Sequence, residues 1–184
     1  TILEAIRDGV RLCVTHQGFS KSEAKSFTIA PYGLKVFKQR WYVLAASEYP
    51  DGRLLIYSLD RFREVERTDI SYTIPSDFDI NEHFRSFYGV SSLSNAQPEI
   101  VQLRINASQV KFFRTLPLHH SQEEIETTDA YSVFQYYLVP TFELTKEILS
   151  NGPYVEVLLP LSLREEIQSK AKKMVEMYQR MLND

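Results

Sequence analysis

Residues 39–62 read QRWYVLAASEYPDGRLLIYSLDRF. Two apolar runs, 41–46 and 54–57, flank Pro50-Asp51-Gly52. Proline presets φ there, aspartate bonds its own backbone and glycine accepts a positive φ, so the stretch reads as a β-hairpin. Strand alternation sets Trp41, Val43 and Ala45 on one face and Tyr42, Leu44 and Ala46 on the other. Both faces are apolar, so both need cover. The interior of a small barrel is expected on one side, and the first helix or a neighbouring domain on the other. With such cover, Trp41 is expected to pack in a core or a domain interface. The hairpin nevertheless leaves on a charge pair, Asp60-Arg61, where a strand should run out into loop.

The flanking sequence extends this pattern. Ile2, Leu3, Ile6 and Val10 recur at helical spacing, and RLCVTH, SFTIAPYGLKVF and REVERTDISY read as strands beside the hairpin. A leading helix followed by about five short strands with tight connections describes a small β-barrel. Residues 74–98, IPSDFDINEHFRSFYGVSSLSNAQP, change character. A short helix is expected over Asp79 to Tyr88, with Ile80, Phe84, Phe87 and Tyr88 on one side, and SSLSNAQP reads as a linker. Beyond it lie the strand EIVQLRI, a helix over ASQVKFFRTL capped by Asn106, and the strands EEIETT and SVFQYYLV. A helix capped by Thr141 and stopped at Asn151-Gly152, a strand YVEVLLP, and a long final helix with Ser162 and Glu165 as a capping box complete the chain. That order, βαββαβ plus a helix, is the ferredoxin-like split βαβ arrangement. The expected fold is therefore α+β, with a barrel over 1–73, a helix and linker over 74–97, and a ferredoxin-like domain over 98–184. In the last helix Ile167, Ala171, Met174, Val175, Tyr178 and Leu182 make an apolar stripe, suited to core packing or to a subunit interface.

Composition narrows the function classes. Of 184 residues, 43% are hydrophobic and 24% charged, with a net charge of −3. Residues 1–67 hold 11 Lys and Arg against 8 Asp and Glu, and residues 68–184 hold 10 against 16, so the sign changes between halves. That imbalance is weak evidence for an anionic partner. No run approaches the ~18 apolar residues of a membrane helix, and the first residues lack the features of a signal peptide, so a cytoplasmic protein is expected. The single cysteine, Cys13, lies between Leu12 and Val14 and reads as a buried structural thiol. Asn106-Ala107-Ser108 matches a glycosylation acceptor, but Asn106 is better read as a helix cap. There is no GxxxxGKS or GxxxxGKT phosphate loop, no GxGxxG, no HExxH and no GxSxG. The adjacent His119 and His120 are expected to point apart in an extended segment and read as a locally bonded loop, or a junction between domains, rather than metal ligands. Glu123, Glu124 and Glu126 read as a solvated strand face. No enzyme, no cofactor and no metal is expected.

The residues that carry chemistry carry a resemblance. PYGLKVFKQRWYVLAASEYPDGRLLIYSLDRF resembles the signature region of the WYL domain, its Trp-Tyr-Leu run here being Trp41-Tyr42-Val43-Leu44. PLHHSQEEIE, with FQYYLVPTFELTKEILSNGPYVEVLLPLSLREEI, is similar to the C-terminal extension that accompanies WYL domains in bacterial transcriptional regulators. The resemblance implies an Sm-like, SH3-type barrel and a ferredoxin-like extension. It also implies a winged helix-turn-helix ahead of them, so the chain is expected to be a piece of a longer regulator. The implied function is effector sensing: an anionic ligand, single-stranded DNA or a nucleotide, binds the barrel through basic and aromatic side chains, and the signal passes to the DNA-reading domain. Arg61 matches the family's Asp-Arg pair, and Tyr42 and Tyr57 match its aromatic positions. With Arg40, Arg53 and Ser58 they form the expected ligand-binding set. The chain departs from the family pattern in two places. Phe27 stands where many members carry an arginine, about four residues before Pro31, and Leu55 and Ser58 stand where arginines often precede the Asp-Arg pair. Each missing charge-assisted phosphate contact removes roughly 1.5–3 kcal/mol, unless Lys38, Arg40, Arg53 or Arg63 substitutes. A dimerisation module without a ligand is the alternative, a homodimer placing two helix-turn-helix domains on two half-sites.

Overall fold

The structure, a computed structural model, describes residues 1–48, 52–91 and 96–180. Pro50 and Asp51 of the hairpin turn, residues 92–95 of the linker and Leu182 of the last stripe lie outside the described residues. The chain divides into two compact units, Thr1–Arg85 and Ser86–Asp184. The architecture is α+β, with one antiparallel sheet in each unit and a long helix at the C-terminal end.

The first unit opens with α1 (Ile2–Asp8), which ends at Gly9 in the left-handed region, φ 62°. Five strands follow: β1 (Val10–His16), β2 (Lys25–Phe37), β3 (Arg40–Ala46), β4 (Leu54–Ser58) and β5 (Phe62–Ser71). They form one sheet in the order β4-β3-β2-β1-β5. β2 is long because it serves two neighbours. Its residues 25–29 pair with β1 and its residues 30–37 with β3, with a register shift between Pro31 and Gly33. Such an extra residue bends a strand and increases its twist, which curls the sheet around one core. Ala5, Leu12, Val14, Ile29, Val43 and Ala45 are buried there. A small barrel was expected from this run of strands. The last of them, β5, pairs with β1, and among the described residues β4 and β5 share no ladder, so the sheet curls without closing by hydrogen bonds.

The hairpin's two apolar faces have separate covers. Val43 and Ala45 face the core just described, while Leu44, also buried at 1% exposure, lies on the other side. Gly33 is the cross-strand partner of Leu44, and a Cβ at Gly33 would collide with Ile80. The outer cover is thus α2 (Ile80–Phe84), from the segment read as helix and linker, rather than the first helix or another domain. Asp79 caps α2 by accepting from the Asn81 N–H at 2.6 Å. The helix is half the expected length: Phe87 and Tyr88 leave it, Phe87 bridging to Val139 and the Tyr88 hydroxyl donating to Glu147 at 2.7 Å. Trp41 also departs from expectation, being 54% exposed, because it stands at the strand's start, beyond the reach of either cover. Cys13 is only partly buried, since it faces opposite to Leu12 and Val14.

The second unit holds β6 (Glu99–Asn106), α3 (Ala107–Thr115), β7 (Glu123–Thr127), β8 (Tyr131–Leu138), α4 (Phe142–Ser150), β9 (Val155–Leu159) and α5 (Leu161–Arg180). The sheet order is β7-β8-β6-β9, every neighbour antiparallel. Alternation drives Val101, Leu103 and Ile105 of β6 and Phe134, Tyr136 and Leu138 of β8 into the core, against Val110, Phe113, Leu144 and Ile148 from the helices. Asn106 accepts from the Ser108 N–H at 3.0 Å and Thr141 from the Leu144 N–H at 3.3 Å, so both expected caps are formed. The capping box at Ser162 is not. Helix α5 starts at Leu161, and the Arg164 N–H donates to Pro160 O at 3.1 Å, which places Ser162 inside the first turn.

Candidate ligand-binding site

β4 does not run straight into β5. A 3-10 turn over Leu59–Arg61 joins them, so Asp60 and Arg61 sit on a tight corner rather than on a strand end. Ser58, the last residue of β4, is buried and its hydroxyl donates to Asp60 Oδ1. Arg40, at the start of β3, donates to Asp60 Oδ2 at 3.2 Å. Together the Ser58 hydroxyl and the Arg40 guanidinium hold the Asp60 carboxyl below its ordinary 3.8. The other nearby acid, Glu64, accepts from the Thr15 hydroxyl at 3.2 Å. Among the described residues neither carboxylate pairs with Arg61.

Arg61 turns elsewhere. Its guanidinium lies over the Phe19 ring, 4.0 Å from the centroid, and its Nε is buried with no hydrogen-bond partner. A buried donor left unmade costs about 1–3 kcal/mol. Around it lies a pocket of about 300 Å³ lined by Gln17, Phe19, Lys21, Asp60, Arg61 and Arg63. The Gln17 side chain closes the β1–β2 loop by donating to Lys21 O at 3.0 Å and Ser22 O at 3.1 Å, and accepts from Arg63 Nη2. Three cations thus stand against one carboxylate that is already held by its neighbours.

A second depression lies beside it. Tyr57 gathers with His16, Phe27 and Phe62, the ring centroids 5.5–5.9 Å from Tyr57. His16, Phe27 and Tyr57 line a cleft of about 530 Å³ with Lys25, Ser47, Glu48 and Leu55. Burial, and secondarily the nearby Arg61 charge, push the His16 imidazole below its ordinary 6.5, so its ring is uncharged at neutral pH.

Of the expected set, the corner brings together Arg61, Ser58 and Arg40, with Tyr42 as the cross-strand partner of Ser58. Tyr57 stands one residue before Ser58 and joins the aromatic cleft instead. Arg53 is not brought to the corner. It lies at the opposite end of β4, where its carbonyl accepts from the Ser47 N–H at 3.2 Å. Sequence reasoning missed Phe19, Gln17 and Lys21. A lone large aromatic after Gly18 in an otherwise polar loop was the available signal. His119 is bonded locally as expected, its Nδ1 2.7 Å from the Ser121 hydroxyl, but the two histidines do not point apart in an extended segment: the chain bends there and their ring centroids are 4.1 Å apart. Glu124 pairs with Arg114 at 2.6 Å, which takes its carboxyl down to about 2. Among the described residues no group of three His, Cys, Asp or Glu is placed to hold a metal, and no helix is long and apolar enough to cross a membrane.

Comparison with known proteins agrees with these two halves. Residues 1–67 match the WYL domain and residues 97–175 the WCX domain. The chain is a WYL-domain protein, with a WCX domain after the WYL domain. Among solved structures it is similar to a CRISPR Cas-related protein, with 14% identity and a TM-score of 0.54, over 98% of this chain and 51% of that one. It is also similar to proteasome accessory factor B/C (PafBC) of Arthrobacter aurescens, with 18% identity and a TM-score of 0.42, over 90% of this chain and 25% of that one. The chain therefore spans about a quarter of the length of one and half of the other. No curated protein sequence matches it.

Proposed function

We propose that this chain is the effector-sensing, regulatory part of a bacterial transcriptional regulator, binding an anionic ligand at Arg61. The observation that carries the reading is the buried Arg61 Nε, without an acceptor, in a cationic pocket. An oxyanion there completes the donor set, and the always-charged planar fork suits phosphate. Lys21 and Arg63 supply the remaining charge. Arg40 and Ser58 act through Asp60, keeping its carboxylate away from Arg61. Tyr57 belongs to the neighbouring cleft, Tyr42 supports Ser58 from β3, and Arg53 has at most a distant electrostatic part. Single-stranded nucleic acid and nucleotides are the ligand classes considered, and the signal passes to a DNA-binding domain outside these residues. The strand order with a 3-10 turn before β5 supports an Sm-like, SH3-type barrel, and the order β7-β8-β6-β9 supports a ferredoxin-like second domain. The protein acts in the cytoplasm and is not an enzyme.

The deciding experiment is a fluorescence-anisotropy titration with short single-stranded oligonucleotides at low and moderate salt, beside Arg61→Ala. Losing one charge-assisted contact of roughly 1.5–3 kcal/mol weakens binding about 10- to 150-fold. The melting temperature should stay nearly unchanged, because Arg61 makes no ion pair among the described residues. A variant that melts earlier yet binds as before makes Arg61 structural and removes the anchor.

A second reading, a homodimerisation module, is favoured by α5. Met174, Val175, Met177 and Tyr178 are 46–72% exposed on its distal half.

A further inference from the structure

The two depressions beside Arg61 differ in chemistry and share a wall. His16 ends β1 and Phe62 begins β5, and they are cross-strand partners. Each is followed or preceded, one residue away, by a member of the cationic pocket: Gln17 after His16, and Arg61 before Phe62. The Gln17 N–H donates to Arg61 O at 3.0 Å, tying that wall together. A cation pocket therefore stands one residue along the backbone from an aromatic cleft.

Phe27 gives the cleft its character. Where the family resemblance leads one to expect an arginine, this ring packs on Tyr57 at 5.5 Å and on His16 at 6.2 Å. Position 27 thus presents an aromatic face to the cleft and no charge. The uncharged His16 ring extends that surface without adding charge. The cleft, about 530 Å³, lies within the range of roughly 300–1,000 Å³ typical of small-molecule sites. The neighbouring pocket has three cations, Lys21, Arg61 and Arg63, and one carboxylate, Asp60, a net +2. A phosphate monoester carries about −1.5 to −2 near neutral pH, which balances it.

We infer that the site takes a nucleoside monophosphate rather than a polynucleotide strand, its phosphate at Arg61 and its planar ring in the cleft formed by His16, Phe27 and Tyr57. This rests on the anion-binding role of Arg61 proposed above. Only one phosphate is needed, and further nucleotides find no second cation at position 27. Phe27 is the specificity-determining residue, trading affinity for a strand for affinity for a base.

Calorimetric titration of the whole chain tests this, with AMP, UMP, adenosine, inorganic phosphate and a 5′-phosphorylated oligothymidylate as probes. At least one monophosphate should bind tenfold or more tighter than phosphate or adenosine alone. The oligonucleotide should bind no tighter than the monophosphate. Phe27→Leu keeps apolar volume but removes the ring. Since stacking on an aromatic side chain is worth about 1–3 kcal/mol per base, this variant should lose about 5- to 150-fold for the monophosphate and nothing for phosphate. Phe27→Arg should move preference toward the oligonucleotide. Arg61→Ala should weaken both the monophosphate and phosphate. If phosphate binding needs Arg61 but a ring adds no affinity, or if the oligonucleotide binds at least tenfold tighter than the monophosphate, the mononucleotide assignment is overturned and the anion site stands. If Arg61→Ala changes nothing, both fall together.

Discussion

His16 stands between the cationic pocket and the aromatic cleft. It faces Arg61 on the 3-10 turn, Lys25 across the β1–β2 ladder, and Tyr57, Phe27 and Glu48 in the cleft. Burial and the Arg61 charge both disfavour its protonated form, so its folded pKa lies below the unfolded 6.5. The sign follows: as pH falls through 6.5 the unfolded chain binds the proton first, and stability is lost until the folded ring also titrates. His83, lowered by burial and by Lys35, adds to the loss in the same direction. An NMR titration of the His16 ring should give a pKa below 6.5 that rises in Arg61→Ala. A ring that titrates identically in both proteins would mean that the Arg61 charge does not reach it. Little of this was legible in the sequence. Arg61 and Tyr57 stood out as residue types in a recognisable run. Their partners Phe19, His16 and Phe27 lie 30 or more positions away, and the β1–β5 pairing together with the curl of β2 brings them close.

At the scale of elements the sequence spoke more plainly, because caps and alternation are written within a few residues. Thr141 shows why. Its hydroxyl caps α4 and also donates to Tyr88 O at 2.9 Å, and the residue is 3% exposed. Thr141→Ala removes both bonds and leaves the Tyr88 carbonyl and the Leu144 N–H each with one partner fewer. We expect a loss of about 1–3 kcal/mol in chemical denaturation, above the typical ~1 kcal/mol for an isolated cap. A loss within experimental error would show that the 86–91 segment reorganises to satisfy Tyr88. Where local signals misled, a tertiary neighbour or two residues of helix decided the outcome. At Ser162 the helix began two positions early, on the Pro160 carbonyl. At Leu59–Arg61 a strand running out into loop was expected, and nothing in LDRF marked the 3-10 turn that leads directly into β5. The outer cover of β3 was sought in other elements, although Gly33 already marked a close approach on β2.

At the scale of the whole molecule, the cationic pocket and the aromatic cleft belong to the first unit, while the long exposed apolar stripe belongs to the second. Near the start of α5, Leu163 is buried in the second unit's core and Ile167 packs against it. Farther along, Ala171, Met174, Val175 and Tyr178 line an open apolar cleft of about 550 Å³ with Ile148, Leu149 and Pro153. Exposed apolar surface of that continuity is costly in water and is commonly covered by a partner. A second copy is the partner that dimeric regulators need, since two-fold symmetry lets paired DNA-reading domains meet two half-sites. Sedimentation velocity at tens of micromolar should therefore show a dimer. Tyr178→Asp should weaken it about tenfold or more without lowering the melting temperature, because Tyr178 is 72% exposed within the single chain. A monomer at that concentration would remove the dimerisation reading. It would leave the ligand reading untouched, because Arg61, Phe27 and every other group of that site lie in the first unit.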